Sequence, residues 1–212
     1  MSTLSTTLID LPLFPLHTVL FPGGWLPLKV FEARYLDMCR ACLRDDAPFG
    51  VCLLKSGPEV AQDGAVSVPE TIGCMARITE CDTGEFGMLY MQAIGTQRFE
   101  LLSYRVEGNG LLVGIAQALP DDIPLEGEQA LAQFGSCAEV LERIIDALKK
   151  SEPDNKLPFC EPFRLDDPSW VSNRLAELLP LDLRARQKLM EFPDVGARID
   201  AVHHVLDRHG WL

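Results

Sequence analysis

Basic residues are scarce in this chain. Its 212 residues include 19 Lys+Arg against 31 Asp+Glu, a formal net charge of −12 at pH 7. Divided between Ala118 and Leu119, where the sequence character changes, it holds 8 basic and 13 acidic residues before the break and 11 and 18 after it, net −5 and −7. Neither part offers the clustered positive surface that neutralises phosphates, so nucleic acid is not an expected partner. The first ten residues contain no Lys or Arg, and with them the charged start of a secretory leader is missing. The longest apolar stretch, around 111–119, is about half the ~20 residues that a membrane helix needs, so no membrane is expected either. An Asn-x-Ser/Thr sequon is also absent. The seven cysteines, at 39, 42, 52, 74, 81, 137 and 160, are odd in number and scattered. These features describe a reduced, cytoplasmic protein with buried thiols.

What is present suits a folded chain with a sizeable core: 47% hydrophobic and 24% charged residues. Up to about Leu119, Gly or Pro interrupts short apolar runs at 50–54, 74–79, 88–94, 99–106 and 111–118, the pattern of a β-rich unit. Asp82-Thr83-Gly84 reads as a hairpin connection with Gly84 at positive φ, and Asn109-Gly110 as a second turn. One helix interrupts the strands over 32–44, with Ala33, Leu36, Cys39 or Arg40, and Leu43 on its inner face. After Pro120 the spacing turns helical. Leu131, Phe134, Ala138, Leu141, Ile145 and Leu148 define a long amphipathic helix, with Glu126 and Glu128 before it and Lys149-Lys150 at its end. A Pro-rich stretch, 151–167, leads to three shorter helices, capped in turn by Asp167, Asp182 and Asp194. The expected domains are therefore a β-rich unit at 1–119 and an α-helical unit at 120–212.

The opening block is dense in proline: Leu11-Pro-Leu-Phe-Pro-Leu-His17, then Val19-Leu-Phe-Pro-Gly-Gly24, then Leu26-Pro-Leu-Lys-Val-Phe-Glu-Ala-Arg-Tyr35. Each proline fixes φ and removes an amide donor, so this extended segment cannot be a central paired strand throughout. The block resembles the start of the N-terminal substrate-binding domain of Lon-type ATP-dependent proteases. Further resemblances follow in order. Ile72-Gly73-Cys74-Met75-Ala76-Arg77-Ile78 is similar to a strand of that family, and Gly95-Thr96-Gln97-Arg98-Phe99 to its glycine-arginine turn. Leu179-Pro180-Leu181, Arg186-Gln187-Lys188-Leu189-Met190-Glu191 and Val195-Gly196-Ala197-Arg198-Ile199 resemble its helical tail. The resemblance implies an α+β fold: a PUA-like β pseudo-barrel with one or more short helices, followed by a C-terminal α-helical bundle. It also implies a polypeptide-binding or adaptor role. The sequence contains no Gly-x-x-x-x-Gly-Lys-Ser/Thr phosphate loop, so ATP hydrolysis and proteolysis are not carried over and a stand-alone, non-catalytic domain is expected.

Other chemistry has little to stand on. Cys39-x-x-Cys42 has no second pair, so it reads as two core residues rather than a zinc or redox site. His203, His204 and His209 are not spaced one helical turn apart, so no metal and no cofactor is expected. The candidate contact residues are the apolar Phe14, Leu16, Phe21, Trp25 and Leu26, as an exposed patch able to hold unfolded or partly folded polypeptide, with Glu32, Arg34 and Tyr35 beside them. The alternative for those three is an intradomain ion pair or cap. Two rival functions stand: RNA binding, by analogy with PUA-like folds, and a hydrolase pairing a Cys with His17.

Overall fold

The computed structural model describes residues 8–60, 67–151 and 157–212. Residues 152–156 of the Pro-rich stretch lie outside them. Among the described residues the fold is mixed α and β, with a seven-stranded sheet and five α-helices. Two compact units are distinguished, Met1–Pro120 and Asp121–Leu212.

In the first unit β1 (Leu8–Leu16), β2 (Trp25–Val30), α1 (Ala33–Asp45), β3 (Phe49–Ser56), β4 (Val68–Pro69), β5 (Ile72–Thr83), β6 (Leu89–Val106) and β7 (Leu112–Ala118) follow in order. The ladder runs β1-β7-β6-β5-β3-β4, β2 adds to β6, and β1 also pairs with β3 in parallel. The strands β1, β7, β6, β5 and β3 therefore form a closed ring of pairings. Antiparallel neighbours supply most of it, and the parallel contact of residues 13–16 with 50–53 closes it.

Alternation along the strands divides the apolar side chains between two clusters. Leu11, Leu13, Cys52, Met75, Phe99, Leu101, Leu112 and Ala116 form one, with a contribution from every strand of the ring. Glycines make room for it: a Cβ at Gly73 would lie 2.6 Å from the Phe99 ring and one at Gly114 would lie 2.3 Å from Leu101. The other cluster joins the opposite faces of β1, β3, β5 and β6 to β2 and α1, through Phe14, Val30, Tyr35, Met38, Phe49 and Met91 among others.

Three expectations are corrected. The 88–94 and 99–106 runs belong to one eighteen-residue strand, β6, which passes through Gly95 without a turn. Register shifts opposite it, at Cys74/Ala76 and Ile78/Glu80, take up the irregularity instead. Between β5 and β6 the positive φ is at Gly87 (74°), the last residue of a short 3-10 turn, whereas Gly84 is extended. The buried residues of α1 are Tyr35, Met38, Cys39 and Cys42, and Leu43 is exposed. Stacking of Tyr35 on Phe14, with ring centroids 4.0 Å apart, fixes that rotation of the helix.

The second unit contains α2 (Glu128–Ser151), α3 (Pro168–Leu178), α4 (Leu183–Glu191) and α5 (Val195–Arg208). Asp167, Asp182 and Asp194 each accept a backbone N–H of the helix that follows, which satisfies donors that a helix start leaves orphaned. α3 packs on α2, α4 and α5, and α2 packs on α5. Among the described residues no helix is long and apolar enough to cross a membrane.

Candidate functional site

The start of α1 gathers several of the residues singled out above. The Arg34 guanidinium lies 3.0 Å from the Glu32 carboxylate, donates to the Gly110 carbonyl at 2.8 Å and to the Glu59 carbonyl at 3.4 Å, and lies 4.5 Å from the Tyr35 ring centre. One side chain thus fastens the β6–β7 turn and the segment after β3 to the helix. Burial pushes the Tyr35 phenol up to about 12, with the Arg34 charge acting in the opposite sense. The His17 amide donates to Glu59 and its Nδ1 lies 3.3 Å from the same carboxylate oxygen, so His17 is engaged with an acid.

Phe14, Leu16, Glu32 and Tyr35 line a cleft of about 160 Å³ together with Phe31 and Val60. The other apolar candidates are placed differently. Phe21 is fully buried and Leu26 is buried, so neither presents a surface. Phe14 and Leu16 are also largely core. Trp25 is half-buried and donates from Nε1 to Gln92 Oε1 at 3.1 Å. The exposed apolar side chains at this cleft are instead Phe31 and Val60. The proline-dense block offers little apolar surface because both of its faces are used: Leu11 and Leu13 enter one cluster, Phe14 and Leu16 the other.

A larger cleft, about 530 Å³, lies between β1 and α1. Ile9, Asp10, Leu11 and Pro12 form one wall, Asp37, Met38, Ala41, Cys42 and Asp45 the other, and Asn109 and Leu111 also line it. Sequence reasoning missed it, although Asp37, Ala41 and Asp45, spaced by four on a helix, mark a single face that the core does not use. In the second unit an apolar groove of about 660 Å³ lies along α2 at Val140, Ile144 and Leu148, with Trp211 and Leu212 on another side.

Four buried thiols are poor nucleophiles. Cys39, Cys52 and Cys137 are each pushed up to about 12, in every case chiefly by burial, and Cys42 is also raised by burial. Cys39 lies 3.3 Å from the Met91 sulfur, within the core. Among the described residues, no group of three or more His, Cys, Asp or Glu is placed to hold a metal ion.

Comparison with known proteins gives one answer. The family model for the ATP-dependent protease La (LON) substrate-binding domain matches residues 10–208. A Lon protease of Phenylobacterium zucineum is 25% identical over 188 residues, 89% of this chain and 23% of that protein. One from Paraburkholderia phytofirmans is 28% identical over 209 residues, 95% of this chain and 25% of that protein. The chain thus spans about a quarter of the length of these curated relatives. Among solved structures, a Lon N-terminal domain protein from Xanthomonas campestris is 38% identical, covers 92% of this chain and 96% of its own, and has a TM-score of 0.69. The N-terminal domain of a Lon protease of the Mycobacterium avium complex has the same fold at 15% identity, with a TM-score of 0.66 and coverage of 95% and 100%. Taken with the ring of strands and the helices after it, these matches show that the chain belongs to the Lon substrate-binding domain family.

Proposed function

We propose that this chain is a non-catalytic polypeptide-recognition protein of the cytoplasm, a substrate-binding or adaptor unit that holds unfolded or partly folded segments for other components to process. The observation that carries the reading is the family match over residues 10–208. The closed ring of strands is read as a PUA-like pseudo-barrel, the helices after Pro120 as a bundle, and the two as separate domains. Two further features support the reading. Burial holds the Cys39, Cys52 and Cys137 thiols in the protonated form, which weighs against a hydrolase built on any of these three. Apolar side chains line clefts in each unit, and exposed apolar surface is what non-native polypeptides share.

The test is binding of the whole chain to a fluorescent, permanently unfolded polypeptide, with labelled RNA in parallel. The expected result is micromolar polypeptide binding that survives moderate salt. Phe31→Ala and Trp25→Ala would each weaken it severalfold, while Phe31→Ala leaves stability within about 0.5 kcal/mol, as is usual for an exposed position. Affinity for RNA alone, falling steeply with salt, would replace this reading with the nucleic-acid one.

A further inference from the structure

β1 is paired on both sides over only part of its length. β7 pairs with residues 8–13 and β3 with residues 13–16, so among the described residues 8–12 have a ladder neighbour on one side only. A lone strand edge presents unpaired N–H and C=O groups, which another extended chain can use. Proteins usually blunt such edges or cover them. Here the edge instead forms one wall of the 530 Å³ cleft, with α1 as the opposite wall. A strand edge beside a helix, separated by a trough, is the geometry in which an extended peptide adds to a sheet and places alternate side chains in the gap.

We propose that residues 8–12 of β1 are a strand-addition site for an extended polypeptide segment in which apolar and basic side chains alternate. The proposal rests on the polypeptide-recognition reading and locates where the main chain of the client is held. An edge of five residues spans about 16 Å at ~3.3 Å per residue, so it fits a segment of similar length. Pro12 contributes a carbonyl but no N–H, which tolerates an open edge and leaves the client to supply the donor there. Met38, Ala41 and Leu111 give the trough an apolar lining for one set of side chains.

The charges select the other set. Among the described residues Asp10, Asp37 and Asp45 line the cleft against one cation, Arg34, whose guanidinium is taken up by Glu32 and by the Gly110 carbonyl. The three carboxylates are paired with Arg105, Arg40 and Arg44 respectively, all in exposed geometry. Such pairs are worth little and exchange readily for an incoming Lys or Arg. Residues with this alternation are ordinary in the strands of a folded protein and become available when it unfolds.

The test uses the full chain and a fluorescein-labelled Lys-Val-Lys-Val-Lys-Val hexapeptide. Its N-methylated form (alternate amides blocked), its Glu-Val counterpart and reduced, carboxymethylated lactalbumin are run beside it. The wild type should bind the Lys-Val peptide, and N-methylation on the pairing edge should weaken binding about tenfold or more. Ala41→Trp, which fills the trough, should do the same with an unchanged circular dichroism spectrum. Asp45→Lys, on the exposed rim where folding is not at stake, should shift preference toward the Glu-Val peptide. Equal binding of the methylated peptide, or equal binding by Ala41→Trp and Asp45→Lys, overturns strand addition. If lactalbumin still binds when the hexapeptide does not, the proposed site is wrong while polypeptide recognition stands. If neither binds, both are wrong.

Discussion

Arg198 of α5 is bound to Asp122, which precedes the first helix of its unit, and both groups are withdrawn from water: the side chains are 1% and 13% exposed. The guanidinium also donates to Ser172 Oγ at 2.9 Å and to the Phe192 carbonyl at 2.9 Å, while Ser169 donates its hydroxyl to Asp122. The network ties the segment after Pro120 to α3 and α5. Removing one partner of such a pair strands a charge in a dry site. Asp122→Ala should therefore lower the unfolding free energy by about 3 kcal/mol in urea titrations. The double variant with Arg198→Met should lose less than the two single losses added. A change under about 1 kcal/mol for Asp122→Ala would mean that the pair does not anchor the unit.

Thiol accessibility gives a second prediction. Cys39, Cys42, Cys52, Cys74 and Cys137 are buried, whereas Cys81 and Cys160 are partly exposed. Native alkylation with iodoacetamide near pH 8, read by peptide mass mapping, should mark Cys81 and Cys160 and spare the other five. Denaturant should expose all seven. Rapid labelling of Cys39 or Cys52 in the native chain would contradict the burial that raises them.

The same groups set a dependence on alkaline pH. Tyr35, Cys39, Cys52 and Cys137 all stay protonated in the folded chain up to about 12. In the unfolded chain the thiols release their protons around their ordinary value of 9.0 and the phenol around 10.0. The folded state thus binds more protons across that window, and stability falls as pH rises through it; below it these groups contribute no slope. Each contributes at most about 1.4 kcal/mol per pH unit. The urea midpoint should drop between about pH 9 and pH 10.5. A flat profile there would show that these groups ionise alike in both states.

Two glycines should respond oppositely to a methyl group. A Cβ at Gly95 would lie 2.2 Å from the Phe21 backbone oxygen, which cannot swing aside, so Gly95→Ala should destabilise by about 1–3 kcal/mol. Gly135 lies within α2 with nothing within 4 Å of its Cβ position, and Gly135→Ala should stabilise by about 0.5–1 kcal/mol. Thermal melts of the two variants separate packing from helix propensity.

Local signals were the legible ones. Asp167-Pro168, Asp182 and Asp194 announce three helix starts, because a cap is a contract between residues two or three apart. The long α2 is written in its threes and fours. Non-local choices were not legible. Gly95 reads as a turn because glycine is common there, yet it is a strand residue made necessary by the nearby Phe21 carbonyl. The rotation of α1 depends on which aromatic ring Tyr35 meets, and Phe14 is far from it in sequence. Of the candidate contact residues, four line one small cleft, whereas Phe21 and Leu26 are core. The larger cleft was legible only on its helical side, in the spacing of Asp37, Ala41 and Asp45; that β1 forms its other wall is a non-local matter of pairing.

The pairing of Leu8 with Gln117 joins the first described residue of β1 to the penultimate residue of β7. On a ribosome, the opening strand must wait for nearly the whole unit to be synthesised before its ladder with β7 can form. Through that interval residues 8–12 lack β7 as a neighbour, and closure cannot proceed by adding hairpins one after another from the amino end. Contacts of such long sequence separation slow folding and lengthen exposure to aggregation.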